Sequence, residues 1–168
     1  MARLRAFTLV DLMSVISIIA ILSAFAFVAI ASVMSGIQIS AATSKLASDI
    51  KYAQSMASGT GRWYGISFEA DPGNLYTLYT TTGTIDTVID NPARLGSGFI
   101  VNTNTDFAVR IGTVNIEGAN KIEFSPLGTP YKDRTASALT QEAVILLTKG
   151  GSSRSVRVYP TTGRVTIQ

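Results

Sequence analysis

The sequence predicts an α+β protein, with one long N-terminal helix followed by an antiparallel β-sheet domain. Three observations predict it. No charged residue occurs from Leu12 to Ser44, so the chain opens on a long apolar run. No proline interrupts residues 7–58, and Gly36 is the only glycine before Gly59. Beyond Gly59, short stretches rich in β-branched and aromatic residues alternate with Gly, Pro and Asn turns, the pattern of strands and hairpins.

The helix comes first. At 1.5 Å per residue, some 50 residues make a rod of about 75 Å. Its first half is apolar on all sides, as a membrane or filament-core segment is. Leu12 to Met34 gives 23 such residues, above the ~20 needed to cross a bilayer. Ser14, Ser17, Ala20 and Ala24 recur at three- and four-residue steps and form a stripe that permits close helix approach. From Ser44 the pattern becomes amphipathic. Leu46, Ile50, Ala53 and Ala57 are expected to face a core, with Lys45, Asp49, Lys51 and Gln54 facing water.

Gly59-Thr60-Gly61 ends the helix. With Gly65 it misses the dinucleotide-binding spacing, and it follows a helix where that motif follows a strand. Trp63 to Phe68 and Leu75 to Tyr79 flank Asp71-Pro72-Gly73-Asn74 and predict a hairpin. Further strands are expected at Phe99 to Val101, Phe107 to Ile111 and Ile122 to Phe124. Ala143 to Leu147 and Ser155 to Tyr159, separated by Gly150-Gly151, predict the clearest pair, and Gly163 to Ile167 follows Pro160-Thr161-Thr162. The segments Val156–Tyr159 and Arg164–Ile167 alternate as half-buried strands do. Thr80 to Asn91 and Asn102 to Asp106 are polar and read as loops.

Composition narrows the chemistry. The net charge is +3, with a pI near 9.3. Setting aside Arg3 and Arg5, which precede the apolar run, leaves 12 basic residues against 11 acidic ones. The body is nearly neutral, so the basic pI is only weak evidence for nucleic acid as a partner. There is no cysteine and no histidine. A disulfide framework, a thiolate zinc site and the commonest general base are all excluded. Asp86, Asp90 and Asn91 invite comparison with a calcium loop, but their spacing fits a solvated loop better. Ser44-Lys45 lacks the partners of a serine–lysine nucleophile. The expectation is a protein that is not an enzyme and that needs no cofactor and no metal.

Three readings compete for the N-terminus. A cleaved secretory signal finds a basic start in Arg3 and Arg5 and a small-residue site at Ala24-Phe25-Ala26. Apolar sequence nevertheless continues through Ile30 and Val33, where a cleaved signal turns polar. A plain membrane anchor would leave Arg3 and Arg5 in the cytoplasm and the domain outside. Neither accounts for Asp11, a carboxylate near the start of a lipid-like segment, where a charge is costly unless partnered.

The third reading does. The segment Ala6-Phe-Thr-Leu-Val-Asp11-Leu-Met-Ser-Val-Ile-Ser-Ile-Ile-Ala-Ile-Leu22 resembles the class III signal of type IV pilins and type II secretion pseudopilins. The resemblance implies a type IV pilin-like fold and a leader, residues 1–6, removed by a prepilin peptidase between Ala6 and Phe7. Phe7 would then be N-methylated and Asp11 would be the acid at the fifth mature position. Ala6 stands where that family usually has glycine, and Asp11 where it usually has glutamate. Physically, a new α-amine and a nearby carboxylate are both costly in lipid. Each can be relieved by its counterpart on a neighbouring subunit, so Phe7 and Asp11 become filament-assembly residues. A helix N-terminus also favours an anion, which leaves pairing within one subunit open.

The body adds a second resemblance. Ala47–Ala57 followed by the Gly65–Phe68 strand, Ile122–Gly128, and Val156–Ile167 are similar to the GspH/FimT family of minor pseudopilins and minor pilins. The implied organisation is a leader over 1–6, a helix over 7–58 that spans the inner membrane over about 7–34, and a periplasmic β domain over 59–168. The implied partners are other pilin or pseudopilin subunits, the prepilin peptidase, the membrane and the inner-membrane assembly platform. The implied role is structural, as a minor pseudopilin of a type II secretion system. Some FimT-like proteins take up DNA through basic residues near the C-terminus. Arg154, Arg157 and Arg164, with Lys149 close by, are the residues to weigh here. Strand alternation sends Arg154 and Arg157 to opposite faces, and no aromatic partner is evident beside them, so DNA is the less favoured partner.

Overall fold

The computed structural model describes residues 9–168, apart from the side chains of residues 25–29, 31, 32 and 95. Helix α1 runs over Leu9–Thr60, 52 residues without a break. It stops at the expected place, because Gly61 adopts φ +67° and its N–H returns to the Ala57 carbonyl at 3.1 Å. That left-handed step is cheap for glycine and ends the helical ladder.

Two antiparallel sheets pack against the second half of α1. The first contains β1 (Trp63–Glu69), β2 (Leu75–Thr81) and β3 (Asp86–Val88). After a small separate ribbon of β4 (Asp90–Asn91) and β5 (Arg94–Gly98), β6 (Ile100–Asn102) returns to pair with β2. A short helix α2 (Thr103–Phe107) then leads to β7 (Arg110–Asn115). Strands β8 (Lys121–Phe124) and β9 (Pro130–Tyr131) complete the first sheet in the order β3-β2-β1-β8-β9. The second sheet has the order β12-β11-β10-β7, with β10 (Ala143–Lys149), β11 (Ser152–Val158) and β12 (Val165–Ile167). The result is the expected α+β architecture, a long helix followed by antiparallel sheets.

Register and helical periodicity build one core. Leu78, Ile66 and Ile122 lie opposite one another across β2, β1 and β8, beside the pairs Tyr76–Phe68 and Tyr64–Phe124. In the other sheet Ile145 faces Val156 and Leu147 faces Ile111. Between the sheets lie Ile39, Ala42, Leu46, Ile50, Ala53 and Ala57, spaced three or four apart and all buried. That spacing keeps one helix face toward both sheets over five turns. The alanines let the sheets come close to the helix, and Leu46 and Ile50 fill the space between them.

Four expectations are corrected. Asn102 to Asp106 is not a loop, because Asn102 caps α2 by accepting from the N–H groups of Asn104 and Thr105 at 3.0 and 2.9 Å. Phe107 belongs to that helix, and after left-handed Ala108 the strand begins at Arg110. Thr80 to Asn91 is not a loop either. It contains the end of β2 and the strands β3 and β4, and Thr80 pairs with Thr87. β3 is exposed along its whole length, so no alternation marked it in the sequence. Asp49, expected in water, is buried. It lies three residues after Leu46 and four before Ala53, on the core side of α1. Strand bounds elsewhere shift by one to three residues, and the strand expected at Phe99 to Val101 runs over Ile100–Asn102.

Candidate functional site

Among the described residues, those of the first half of α1 are left without a covering element by this fold. Every described large apolar side chain from Leu9 to Leu22 is between 45% and 73% exposed, and Ile30, Val33 and Met34 continue the surface. Burying such a side chain is worth roughly 1.5–3 kcal/mol. A bare surface of this extent exceeds what a monomer in water normally shows and marks a site for lipid or other chains. The serines at 14, 17 and 23 do not make it polar. Ser14 Oγ donates to the Asp11 carbonyl, Ser17 to Met13 and Ser23 to Ile19, at 2.7–2.8 Å. These hydroxyls satisfy their own helix. Asp11 lies in the first turn of α1 and is exposed on this surface. Residues 1–8 fall outside the described part, and with them the expected leader, Ala6 and Phe7. Among the described residues no helical stretch is long and apolar enough to cross a membrane. The described apolar side chains of this half are confined to 9–24, 30, 33 and 34. A span over Leu12–Met34 therefore rests on the sequence.

The second half of α1 is fastened to the domain by polar contacts that the sequence did not reveal. Asp49 accepts from Lys45 Nζ at 2.5 and 2.6 Å and from Tyr76 Oη at 2.6 Å. Burial first, and then the neighbouring Asp49 carboxylate, push the Tyr76 hydroxyl well above its ordinary range, so it stays a donor. Gln54, expected in water, reaches 2.9 Å to the Gly128 carbonyl and 3.0 Å to that of Thr162. It ties the helix to two turns at once. Gly163, at φ +64°, leaves room for this clamp, since a Cβ there would lie 2.9 Å from the Gly128 oxygen and closer still to Gln54.

A third cluster braces the first sheet. Tyr79, Gly65 and Glu123 form one row across β2, β1 and β8. The Tyr79 ring crosses the bare glycine, and its hydroxyl donates to Glu123 Oε1 at 2.7 Å. Glu123 is 1% exposed and also accepts from Lys121 Nζ at 2.9 Å and from the Arg134 N–H at 2.5 Å. Desolvation opposes the charge on Lys121, yet hydrogen bonds to Asp133 and Glu123 outweigh it and hold the ammonium above its usual range. The Lys121 bond, followed by those from Thr135, holds the Asp133 carboxyl well below the usual carboxylate range. With every oxygen supplied by donors, these charges serve to lock the 121–135 segment against the sheet.

The basic residues near the C-terminus occupy different neighbourhoods. Arg154 lies beside α1, in a recess with Val33, Gly36, Ile37 and Ser40. Arg157 donates to Glu142 at 3.0 Å, and Lys149 Nζ donates to the Ala108 carbonyl at 2.9 Å. Arg164 lies 4.5 Å from the centre of the Tyr159 ring, an aromatic contact that strand spacing had not revealed. Asp86 and Asp90 fall on β3 and β4, and no cluster of three acidic ligands occurs among the described residues.

A long helix, half bare and half embedded in antiparallel sheets, is the type IV pilin-like fold. Solved structures with this arrangement include the Pseudomonas aeruginosa type IV minor pilin FimU in two crystal forms. One superposes with a TM-score of 0.52 at 13% identity, covering 77% of this chain and 87% of that one. The other gives 0.50 at 14% identity, with 77% and 91% covered. At these identities the likeness is one of fold. No family model and no curated protein matches the sequence.

Proposed function

We propose that this chain is a structural subunit of a type IV pilin-like filament, assembled through the first half of α1. The observation that carries the reading is the division of one 52-residue helix into an embedded half and a bare apolar half bearing Asp11. Before assembly the bare half resides in the inner membrane over about 7–34, with the β domain in the periplasm. After assembly the same surface packs against neighbouring helices, and the stripe of small residues admits close approach. The likeness to a type IV minor pilin supports a minor subunit rather than an enzyme or a free-standing binding domain. Within that class, the motifs of the body favour a minor pseudopilin of the GspH/FimT kind, serving type II secretion.

Assembly is driven by two terms. Helix–helix packing replaces lipid contacts, and the Asp11 carboxylate meets the α-amine of Phe7 on a neighbour once residues 1–6 are removed. Leaving one member of such a buried pair alone costs about 3–5 kcal/mol, roughly a hundredfold or more in occupancy. Asp11→Ala is therefore expected to keep membrane insertion while losing incorporation into filaments, measured by fractionating sheared filaments from membranes. Normal incorporation of that variant would refute the pairing. Mass spectrometry of the native protein is expected to find a methylated Phe7 at the terminus. An intact Met1, or a terminus at Phe27, would refute the filament reading itself.

A further inference from the structure

The end of the second sheet that lies beside the middle of α1 gathers cations from three strands. Thr148 pairs with Arg110 on one side and Ser153 on the other, and Leu147 pairs with Arg154 and Ile111. Arg110 and Lys149 thus meet at one sheet end, while Arg154, one row along from Arg110, points to the opposite face of the sheet, beside α1. A recess of about 430 Å³ opens there, lined by Arg110, Lys149, the Gly150–Gly151 turn, Ser152 and Ser153. None of its described lining residues is acidic. Arg110 has its nearest carboxylate, Asp71, at 3.7 Å and is 66% exposed. Lys149 spends one of its three donors on the Ala108 carbonyl.

The position of this recess along α1 gives it meaning. A Cβ on Gly150 would lie 3.5 Å from Ser35 Oγ, so the turn sits against Ser35. Arg154 lies beside Val33, Gly36 and Ile37. Ser35 directly follows Met34, the last residue of the expected span. The headgroup layer extends roughly 5–7 Å beyond the hydrocarbon on each side. A turn level with Ser35 therefore falls inside that layer.

We infer, on the basis of the membrane insertion proposed above, that this sheet end is a docking site for the phosphate headgroups of anionic phospholipid. Arg110 and Lys149, which line the recess, supply charge-assisted hydrogen bonds to phosphate oxygens. Arg154 beside α1 adds positive charge at the same depth, and the small Gly-Gly-Ser-Ser segment lets a headgroup approach the backbone. Basic residues near an anionic membrane surface are drawn to it electrostatically. Docking holds the β domain against the bilayer until assembly withdraws the helix.

Because the chain lacks cysteine, a single fluorophore at Ser153→Cys reports on the recess. A second at Thr84→Cys, in the exposed β2–β3 turn near the far end of α1, serves as reference. The full chain is reconstituted into phosphatidylcholine vesicles with or without phosphatidylglycerol, carrying a headgroup spin label as quencher. The expected result is quenching at 153 that is several-fold stronger in anionic than in neutral vesicles. Headgroup contact should fall by roughly a factor of five for each charge removed among Arg110→Gln, Lys149→Gln and Arg154→Gln. The probe at 84 should respond to neither change. Equal quenching at 153 in neutral and anionic vesicles overturns the site without recourse to any charge variant. Loss of quenching on adding inorganic phosphate, but not on adding sodium chloride to the same ionic strength, also overturns it, by making free phosphate the ligand. A chain that fails to co-float with vesicles overturns the membrane insertion and the lipid site together. One that co-floats without charge-dependent quenching overturns the lipid site alone.

Discussion

Adding one methyl group at Gly65 should cost more than most single substitutions in this domain, and the structure says why. Gly65 sits mid-strand in β1, with Tyr79 and Glu123 as its cross-strand neighbours. A Cβ there would lie 2.5 Å from Tyr79 Cζ and 2.6 Å from its hydroxyl oxygen. Carbon atoms pack at about 3.5 Å or more, so the ring must retreat by about 1 Å. From 2.7 Å, that retreat takes the hydroxyl beyond hydrogen-bonding distance of Glu123. Overpacking costs about 1–3 kcal/mol, and weakening a bond to a buried charge about 1.5–3 kcal/mol. Alanine recovers about 0.4–1 kcal/mol by restricting the unfolded chain. The net expectation for Gly65→Ala is a loss of about 2–5 kcal/mol, the sum of these terms. Urea unfolding of the full chain in detergent, followed by Trp63, the only tryptophan, measures it. Tyr79→Ala removes the obstructing ring, so the two substitutions together should cost less than their sum by about 1–2 kcal/mol. A loss below about 0.5 kcal/mol for Gly65→Ala, or strict additivity with Tyr79→Ala, would refute the steric account.

Two further outcomes are expected. Asn102→Ala removes the cap of α2 and should cost about 1 kcal/mol, read as a lower urea midpoint at unchanged slope; an unchanged midpoint would show that tertiary contacts alone hold that turn. Acid should act through Asp133, whose folded carboxyl lies below its ordinary value because Lys121 and Thr135 donate to it. Its contribution to stability is present above that ordinary value and is lost as pH falls toward the folded one. Asp133→Asn should therefore flatten the decline in urea midpoint between about pH 4 and pH 2; an identical decline in both proteins would remove Asp133 as a source of acid sensitivity.

The elements that were legible share a cause. Leu46, Ile50, Ala53 and Ala57 announce a buried helical face because their neighbours in sequence are also their neighbours on that face. The alternation in β10 and β11 is equally local, and Gly150-Gly151 marks their turn. Strands β3, β4 and β5 were missed because both of their faces meet solvent or another short strand, leaving no apolar alternation to detect. α2 was missed for a different reason. Its residues, Thr-Asn-Thr-Asp-Phe, are weak helix formers, and the Asn102 cap was the only signal that a turn begins there. Asp49 did carry a signal, since its spacing from Leu46 and Ala53 puts it on the apolar face, but a carboxylate is credible there only once a donor is known.

By itself the sequence determined the long uninterrupted helix, the place where it stops, its apolar first half with Asp11, and a following domain of antiparallel strands. Proline absence, glycine position and hydrophobic period act over a few residues, so they can be read without coordinates. Tertiary structure alone decided which sheet each strand joins and that Tyr76 supplies the donor that keeps Asp49 buried. It alone laid Tyr79 across Gly65 to meet Glu123, and brought the Gly150–Gly151 turn down to Ser35. Asp49 and Tyr76 are 27 positions apart and Tyr79 and Glu123 are 44 apart, and Ser35 and Gly150 lie further apart still. Long-range pairing depends on strand order and register, which no local pattern encodes.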